Sequence, residues 1–194
     1  MQQNIYDFIA LLDVNSTIAL DIRYAKTTNF TGKIIYPQEG CYARMPVAHA
    51  LDAAQKELAL SGLGLKIFDA YRPLRYQQLF WDIMPDERYV ADPQKGSKHN
   101  RGAAIDLTLI RLADGTELEM PSDFDDLSAR AHRNYAAMRA EAAKNCKILE
   151  AIMEKHGFAG WPEEWWHFDF HDWERYPLAD ISFDELQAAH ARLM

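Results

Sequence analysis

The chain has 194 residues, of which 48% are hydrophobic and 26% are charged, a profile typical of a soluble globular protein. Its net charge is −8 at pH 7 and it contains no block of lysines and arginines, which argues against nucleic acid as a partner. The length suits one compact core, so we predict that residues 1–194 form a single domain.

The N-terminal stretch MQQNIYDFIALLDVN has no basic segment, and Asp13 interrupts its apolar run. We therefore predict neither a signal peptide nor a transmembrane helix, and numbering from Met1 favours an untrimmed N-terminus. The two cysteines, Cys41 and Cys146, are far apart and form no metal-type pair, so two reduced thiols are expected. Together these features predict a cytoplasmic protein with no membrane partner.

Hydrophobic spacing and turn residues predict the secondary structure. In chain order, the predicted elements are a strand at 17–24, a helix from Pro46 to Gly62, a strand at 65–70, a helix at 73–84, a loop at 85–96, a strand at 103–112 with a hairpin turn at Asp114-Gly115, a long helix at 129–156, a strand at 165–170 and a helix that starts at Ser182. The last helix opens with a capping box, since Glu185 follows Ser182 by three residues. Because the elements do not alternate as regular βαβ units, we predict an α+β fold with a central, mostly antiparallel sheet flanked by helices.

The segment SKHNRGAAIDLTL, residues 97–109, places an aspartate inside an apolar strand. In such a strand Asp106 shares a face with small or polar neighbours, as at the floor of a cleft. A buried carboxylate is costly unless it is paired or binds a cation. His99 lies seven residues earlier, and a bend at Gly102 would let both side chains reach one metal ion. The alternatives are a structural partner for Asp106, such as an arginine or backbone amides, and a surface position for His99.

A second group of polar residues occurs in EWWHF, residues 164–168, where we predict that an aromatic strand begins at Trp165 and that Glu164 lies on the turn before it. His167 offers an imidazole ligand, and Glu164 three residues earlier can lie beside the metal as a proton acceptor. Two histidines, one aspartate and a free glutamate fit a mononuclear zinc hydrolase, which leaves one coordination position for water. The alternative is an aromatic core strand, and His171 is a competing ligand because it shares strand parity with His167.

The segment DAYRP, residues 69–73, puts Arg72 between a predicted strand and a predicted helix. An arginine at such a turn can reach an oxyanion or a substrate carboxylate. A structural salt bridge with Asp69 is the simpler interpretation, and both can hold if the aspartate orients the arginine.

Taken together, these three segments resemble the VanX-type D-alanyl-D-alanine dipeptidases. They belong to a wider zinc peptidase group that includes peptidoglycan D,D-carboxypeptidases and the hedgehog signalling domain. The shared pattern, S-x-H-x-x-G-x-A-x-D followed far downstream by E-x-x-H, is met at every fixed position: Ser97, His99, Gly102, Ala104, Asp106, Glu164 and His167. DIRYAKTTNFTGK (21–33) and MPSDFDD (120–126) are also similar to the dipeptidases, so the resemblance spans most of the chain.

The resemblance implies a role for each of these residues. His99, Asp106 and His167 would bind one zinc ion in a cleft, and Glu164 would be the general base and acid. Arg72 would stabilise the tetrahedral intermediate. The substrate-binding residues would be Asp125 for the ammonium, Tyr24 as its helper and Ser97 for the carboxylate; a solvated acidic loop is the alternative for Asp125.

The sequence departs from the dipeptidases near the predicted mouth of the site. The loop at 85–96 is shorter than in the resistance-associated enzymes, and Leu127 and Ala131 differ from the expected residues. These changes bear on the preference for a free dipeptide more than on the zinc chemistry.

The predicted activity is zinc-dependent hydrolysis of D-alanyl-D-alanine and related D,D-dipeptides, with a small dipeptide as the partner molecule. One alternative is a peptidoglycan D,D-carboxypeptidase or endopeptidase, which would need export. Another is a non-catalytic zinc-binding module of the same fold, which the presence of both Glu164 and Arg72 disfavours. A structural zinc site would need four protein ligands, for which His171 is the available fourth.

Overall fold

The computed structural model describes residues 4–192. The strands, in chain order, are β1 (Phe8–Ala10), β2 (Ala19–Leu20), β3 (Tyr42–Arg44), β4 (Leu63–Asp69), β5 (Ala104–Arg111), β6 (Phe158–Trp161) and β7 (Glu164–Phe170). The helices are α1 (Leu11–Val14), α2 (Met45–Ala59), α3 (Leu74–Ile83), α4 (Ala140–Lys155) and α5 (Phe183–Ala191). Short 3-10 turns lie at Ile5–Asp7, Arg23–Ala25, His99–Arg101, Ala129–Ala131 and Trp173–Arg175.

The central sheet has the strand order β2-β4-β5-β7-β6 in the described part of the chain. Only the short edge pair β2 and β4 is parallel there, and the other neighbouring strands run antiparallel. Helix α2 packs on β4, α4 packs on β6 and β5, and the two helices contact each other over the sheet. The predicted α+β class with a mostly antiparallel sheet is therefore confirmed, whereas the single domain stays a prediction.

Strand β5 runs through the middle of this sheet between β4 and β7. Seven of its eight residues are buried, because both faces of the strand are covered. Ile105, Leu107 and Leu109 belong to the hydrophobic core, as the strand parity predicted, while Asp106 lies on the other face. Asp106 is thus carried by a strand that is enclosed on both faces.

Several predicted elements agree closely with the structure. The helix from Pro46, the strands at 65–70, 103–112 and 165–170, and the helix after Pro73 are all present with small shifts at their ends. The capping box is also confirmed, since the hydroxyl of Ser182 accepts a hydrogen bond from the amide of Glu185 and the Glu185 carboxylate accepts one from the amide of Ser182.

The strand predicted at 17–24 was mostly wrong. Only Ala19–Leu20 pairs with β4, and the chain then turns into a 3-10 segment at Arg23–Ala25. That turn buries Ile22 and Tyr24 together, although strand alternation would also have put them on one face. Ion pairs from Asp21 to Arg23 and Lys26 fold the chain back on itself at this point.

The long helix predicted at 129–156 was wrong in its first part, because α4 begins only at Ala140. The amide of Arg133 donates to the carbonyl oxygen of Pro162, and its guanidinium donates to the carbonyl oxygens of Trp161, Trp165 and His167. These long-range bonds hold the segment before α4 against β6 and β7, and they outweigh its helix propensity. The predicted stripe residues Tyr135 and Met138 are accordingly only half-buried.

The turn predicted at Asp114-Gly115 is present, but the hairpin is minimal. Gly115 has φ +71°, and its amide donates to the carbonyl oxygen of Arg111. Beyond the turn, pairing is limited to an isolated bridge between Ile110 and Glu117. Among residues 4–192, the helices lack the combination of length and apolar character that a membrane span requires.

Candidate metal site and active-site cleft

One cleft of about 340 Å³ brings together every residue predicted to belong to the site. The predicted site residues among those that line it are Tyr24, Arg72, Ser97, His99, Asp106, Asp125, Glu164 and His167. They come from distant parts of the sequence, so the fold itself assembles the group. Aromatic rings, including Phe80, Trp161 and Trp166, form much of the remaining wall.

The three side chains predicted as metal ligands converge on one point. Nδ1 of His167 lies 3.0 Å from Oδ1 of Asp106 and 3.2 Å from Nε2 of His99. The third separation, from Nε2 of His99 to Oδ1 of Asp106, is 3.4 Å. Strand pairing explains the first contact, because Asp106 on β5 and His167 on β7 are direct cross-strand partners and so project to the same face.

His99 reaches this point through the bend predicted at Gly102. His99 lies in a 3-10 turn that Gly102 ends with φ +70°, a left-handed conformation that favours glycine. A Cβ atom on Gly102 would also lie 2.5 Å from Cε1 of Phe8. Two independent constraints therefore require glycine here, and together they set the direction from which His99 enters the site.

Each histidine is oriented by a partner on its other ring nitrogen. Nδ1–H of His99 donates to the carbonyl oxygen of Ala70 at 2.8 Å, and Nε2–H of His167 donates to Oδ1 of Asp169 at 2.9 Å. In the neutral form of each ring these bonds fix the tautomer, so that the lone pairs of His99 Nε2 and His167 Nδ1 are directed at the shared point. Orienting partners of this kind are typical of histidines that bind metals.

Asp169 is itself held by Lys98. Nζ of Lys98 lies 2.5 Å from Oδ2 of Asp169 and 5.1 Å from the ring centres of both Trp161 and Trp173. The ammonium is thus enclosed by two indole faces and a carboxylate, each of which attracts it. This arrangement leaves Oδ1 of Asp169 directed at His167.

The donor set suits a metal ion. Zinc bonds to nitrogen and oxygen ligands are about 2.0–2.1 Å long, which places ligand atoms about 3.3 Å apart in a tetrahedron. The three observed separations of 3.0, 3.2 and 3.4 Å are close to that value. Three protein ligands leave the fourth position open, as in catalytic rather than structural sites.

Electrostatics in the site also favour a cation. Burial raises the pKa of Asp106, but His99 and His167 outweigh this and hold it far below its usual range, so the carboxylate stays ionised. Burial lowers the pKa of His167, but Asp169 and Asp106 raise it to about 10. A metal ion must therefore displace a proton from His167 when it binds.

Glu164 is the first residue of β7, whereas the sequence analysis placed it on the turn before the strand. The pairing of β6 and β7 is irregular here, since Gly160 pairs with Phe168 but Trp161 pairs with Glu164. This bulge turns the carboxylate into the cleft, where Oε2 of Glu164 lies 3.8 Å from Nδ1 of His167. Burial raises the pKa of Glu164 to about 8 in the metal-free chain, with His167 opposing the shift and Asp106 and Asp125 adding to it.

Arg72 forms the predicted salt bridge with Asp69 and also lines the cleft. It is buried, and its Nη2 and Nε lie 2.8 and 3.2 Å from Oδ2 of Asp69, so the predicted salt bridge is present. Nη1 donates to Oε1 of Gln77 at 3.1 Å, and the guanidinium lies 4.6 Å from the ring centre of Phe80. Burial opposes the charge, but Asp69 raises the pKa of Arg72 well above its usual value, so the guanidinium remains charged at the cleft.

Asp125 lies at the far wall of the cleft, in the left-handed backbone region with φ +62°. Its Oδ1 accepts a hydrogen bond from the hydroxyl of Tyr24 at 3.1 Å, and its Oδ2 accepts one from the amide of Phe30 at 3.0 Å. Burial raises the pKa of Asp125 to about 7. The alternative of a solvated acidic loop is therefore wrong for this residue. Ser97 also borders the cleft, with its hydroxyl accepting from the amide of Asn100 at 3.3 Å.

His171, the competing ligand, lies outside the cleft. Its side chain is 57% exposed, and its ring nitrogens face the carbonyl oxygen of Gly157 and the carboxylate of Asp172. The sequence analysis missed the supporting residues Lys98, Asp169, Gln77 and Arg133. Asp169 had one signal in the sequence, since it shares strand parity with His167 two residues away, whereas Lys98 and Arg133 act across long sequence separations.

Comparison with known proteins identifies the family. A family model described as D-ala-D-ala dipeptidase (Peptidase_M15) matches residues 5–185. A D-alanyl-D-alanine dipeptidase of Escherichia coli (strain K12) is 39% identical over 177 residues, which is 91% of each protein. One of Enterococcus faecium is 33% identical over 196 residues, covering 91% of this chain and 96% of the relative.

Among solved structures, a vancomycin-resistance D,D-pentapeptidase in complex with Zn(II) is 14% identical, with a TM-score of 0.45 over 78% of this chain and 87% of that chain. This likeness is too distant to bear on the chemistry, in contrast to the family match and the two dipeptidases. On those matches, the chain belongs to the D-ala-D-ala dipeptidase family of metallopeptidases.

Proposed function

We propose that this chain hydrolyses D-alanyl-D-alanine, and related D,D-dipeptides, to free D-amino acids with the help of one zinc ion per chain. The observation that carries the proposal is the convergence of three ligand atoms, 3.0–3.4 Å apart, beside the carboxylate of Glu164. Relatives named as D-alanyl-D-alanine dipeptidases over most of the chain support the choice of substrate. The preference for D-amino acids rests on that likeness alone.

His99, Asp106 and His167 would hold the zinc ion. When bound, zinc supplies Lewis acidity, which makes water easier to deprotonate and a carbonyl group easier to attack. The neutral imidazoles and the ionised carboxylate offer lone pairs that Ala70 and Asp169 orient from behind.

Glu164 would move the protons of the reaction. As general base it takes a proton from the attacking water, and as general acid it gives the proton to the leaving amine. Burial raises its pKa to about 8 in the metal-free chain, and the positive charge of a bound ion would lower that pKa and favour the ionised form that takes up the first proton.

Arg72 would stabilise the negative charge that develops on the scissile carbonyl oxygen. Asp69 and Gln77 engage the guanidinium from the protein side and leave N–H groups for the cleft. Because Arg72 is held in place before the substrate binds, little reorganisation is needed as the charge develops.

A preference for short substrates would follow from the groups that bind the two charged ends of a dipeptide. Asp125, helped by Tyr24, would accept the ammonium of the dipeptide, and Ser97 would donate to its carboxylate. A longer peptide would leave these groups unpaired, which is costly in a buried site. A cleft of about 340 Å³ is also at the small end for ligand sites.

The proposal is tested by assaying the purified protein with zinc, with and without a chelator, on three substrates. We expect release of D-alanine from D-Ala-D-Ala, and little turnover of L-Ala-L-Ala or of a tripeptide ending in D-Ala-D-Ala. Preferred cleavage of the tripeptide or of a muropeptide would instead indicate a D,D-carboxypeptidase. Turnover that survives complete removal of metal would contradict the zinc chemistry.

A cytoplasmic location belongs to the same proposal. The free cysteines Cys41 and Cys146 support it, since reduced thiols are usual in that compartment. Cell fractionation followed by immunodetection tests it, and recovery of the protein outside the cytoplasm would contradict it.

A further inference from the structure

Gln77 is a fully buried amide that joins two parts of the cleft. It lies on α3, its side chain is inaccessible to solvent, and both ends of its amide are engaged. Oε1 accepts a hydrogen bond from Nη1 of Arg72 at 3.1 Å, and Nε2 donates to the carbonyl oxygen of Ala91 at 2.8 Å. A buried amide is costly unless it is paired, and here each partner belongs to a different segment of the cleft wall.

The segment that contains Ala91 forms one side of the cleft. Residues 87–91 and 95–98 line it, in the connection between α3 and the 3-10 turn of His99. The ion pairs within this connection, Lys95 with Glu87 and Arg88 with Asp86, lie largely in solvent and contribute little to its position. The hydrogen bond from Gln77 is a buried link between this wall and the body of the protein.

Arg72 needs a third contact to be fixed in orientation. Both Nε and Nη2 of Arg72 donate to the same oxygen, Oδ2 of Asp69. A guanidinium held at one oxygen can still tilt about it, so this ion pair sets its location better than its direction. The bond from Nη1 to Gln77 removes that freedom, because it holds the opposite end of the guanidinium plane.

We propose that Gln77 is a positioning residue that couples the wall at residues 87–91 to Arg72, so that the wall and the guanidinium keep one fixed arrangement in which the guanidinium faces the scissile carbonyl of a bound dipeptide. The inference rests on the proposed function. It assigns no contact between Gln77 and the substrate; Gln77 acts through Arg72 and through the wall.

Two substitutions distinguish the contributions of the two hydrogen bonds that the Gln77 amide makes. Gln77→Met removes both hydrogen bonds at similar length. Gln77→Glu keeps an acceptor for Arg72 but loses the donor to Ala91. Gln78→Met is the matched control, because Gln78 is exposed on the same helix and bonds only to Asp82 among the contacts of its side chain that the structure describes.

For D-Ala-D-Ala hydrolysis we expect Gln77→Met to lower kcat about 10- to 100-fold, since small misalignments of a catalytic group cost that much, and also to raise KM, because it releases the wall as well. Gln77→Glu is expected to retain more of kcat and to raise KM, because Arg72 keeps its partner while the wall is released. Gln78→Met is expected to match the unaltered protein in both constants. A general loss of structure would lower kcat in both variants and would not spare it in Gln77→Glu.

Hydrogen–deuterium exchange provides a readout apart from turnover. Both Gln77 variants should exchange faster than the unaltered protein at residues 86–92, and Gln78→Met should not. Should Gln77→Met fail to fold, as shown by its melting curve, Gln77→Glu alone carries the test.

An unaltered kcat and KM in both Gln77 variants, in a protein that hydrolyses the dipeptide, would overturn the coupling and leave the proposed function standing. Unchanged exchange at residues 86–92 would also overturn it. Absence of hydrolysis in the unaltered protein would overturn the proposed function and this inference with it, so the two failures are distinct.

Discussion

Asp169 lies two residues beyond His167 on β7, and its carboxylate accepts the Nε2–H of that histidine at 2.9 Å. The ligand and its orienting group thus share one strand face. Asp169→Ala should weaken zinc binding about 10- to 100-fold, because the imidazole loses its fixed tautomer and part of its basicity.

Competition with a chromophoric chelator measures this affinity. Asp172→Ala is the control, since Asp172 pairs with Arg175 and His171 outside the cleft. An identical zinc affinity in Asp169→Ala and the unaltered protein would show that Asp169 does not support the ligand.

Glu164→Gln should abolish most turnover and leave the metal in place. The amide cannot accept or return the proton, so we expect kcat to fall by about 10²- to 10⁴-fold. Zinc content, measured by elemental analysis, should stay at one ion per chain. The adjacent substitution Glu163→Gln serves as the control, and a Glu164→Gln protein with near-full kcat would remove Glu164 from the mechanism.

Arg72→Lys should lower kcat about 10²- to 10³-fold, the range for loss of one oxyanion donor. A lysine ammonium lacks the planar fork that lets Arg72 contact Asp69, Gln77 and the cleft at once. Arg75→Lys on the exposed side of α3 is the control. Steady-state kinetics decide the matter: a change confined to KM would indicate that Arg72 binds the ground state only.

Asp125 should make dipeptide binding depend on pH. Burial raises its pKa to about 7, and only its ionised form attracts an ammonium. In the unaltered protein KM should therefore rise as pH falls from 8 to 6. In Asp125→Asn we expect KM to be about 10- to 100-fold higher at pH 8, the scale of a lost hydrogen bond to a charged group. Asp123→Asn is the control, and a pH trend in KM that persists in Asp125→Asn would assign it to another group.

The same raised pKa has an opposite effect on stability. Because the pKa of Asp125 is higher in the folded chain than its ordinary value of 3.8, its contribution to stability is fully present below about pH 3.8 and is lost as pH rises through about 7. Asp125→Asn should consequently melt at a higher temperature than the unaltered protein at pH 8, with the difference narrowing towards pH 4.

Gly102→Ala and Gly115→Ala form a matched pair that separates backbone strain from steric conflict. Both glycines have φ near +70°, but a Cβ atom would meet Phe8 at 2.5 Å at Gly102 and nothing within 4 Å at Gly115. Gly115→Ala should cost about 1 kcal/mol of unfolding free energy. Gly102→Ala should cost clearly more and also reduce zinc affinity, since it displaces the turn of His99. Chemical denaturation measures the unfolding free energy of both variants. Equal losses in Gly102→Ala and Gly115→Ala would contradict the expected steric conflict at Gly102.

The ligand set was predictable from sequence because its members lie in short motifs. The spacing of His99, Gly102 and Asp106 predicts a turn, a bend and a strand position, and EWWHF puts Glu164 three residues before His167, close enough for its carboxylate to lie beside the metal. Parity within β5 likewise predicted which residues face the core and that Asp106 faces the cleft.

The supporting contacts could not be predicted, for a physical reason. Lys98 and Asp169 are 71 residues apart, and Arg133 donates to the carbonyl oxygens of Trp165 and His167 on β7. Such partners depend on tertiary packing, which leaves no periodic trace in the sequence. The same packing shortened the helix predicted at 129–156, because Arg133 is tied to β7 instead of joining α4.

Asp69, Asp106 and His167 are direct cross-strand neighbours on β4, β5 and β7. Metal binding therefore depends on the correct register of these three strands. A slip of β7 by one residue would turn His167 to the far side of the sheet and leave Asp106 without its neighbour. Misfolded chains would then be unable to load the ion, so metal occupancy in a freshly refolded sample would count the molecules whose strands had found their correct partners.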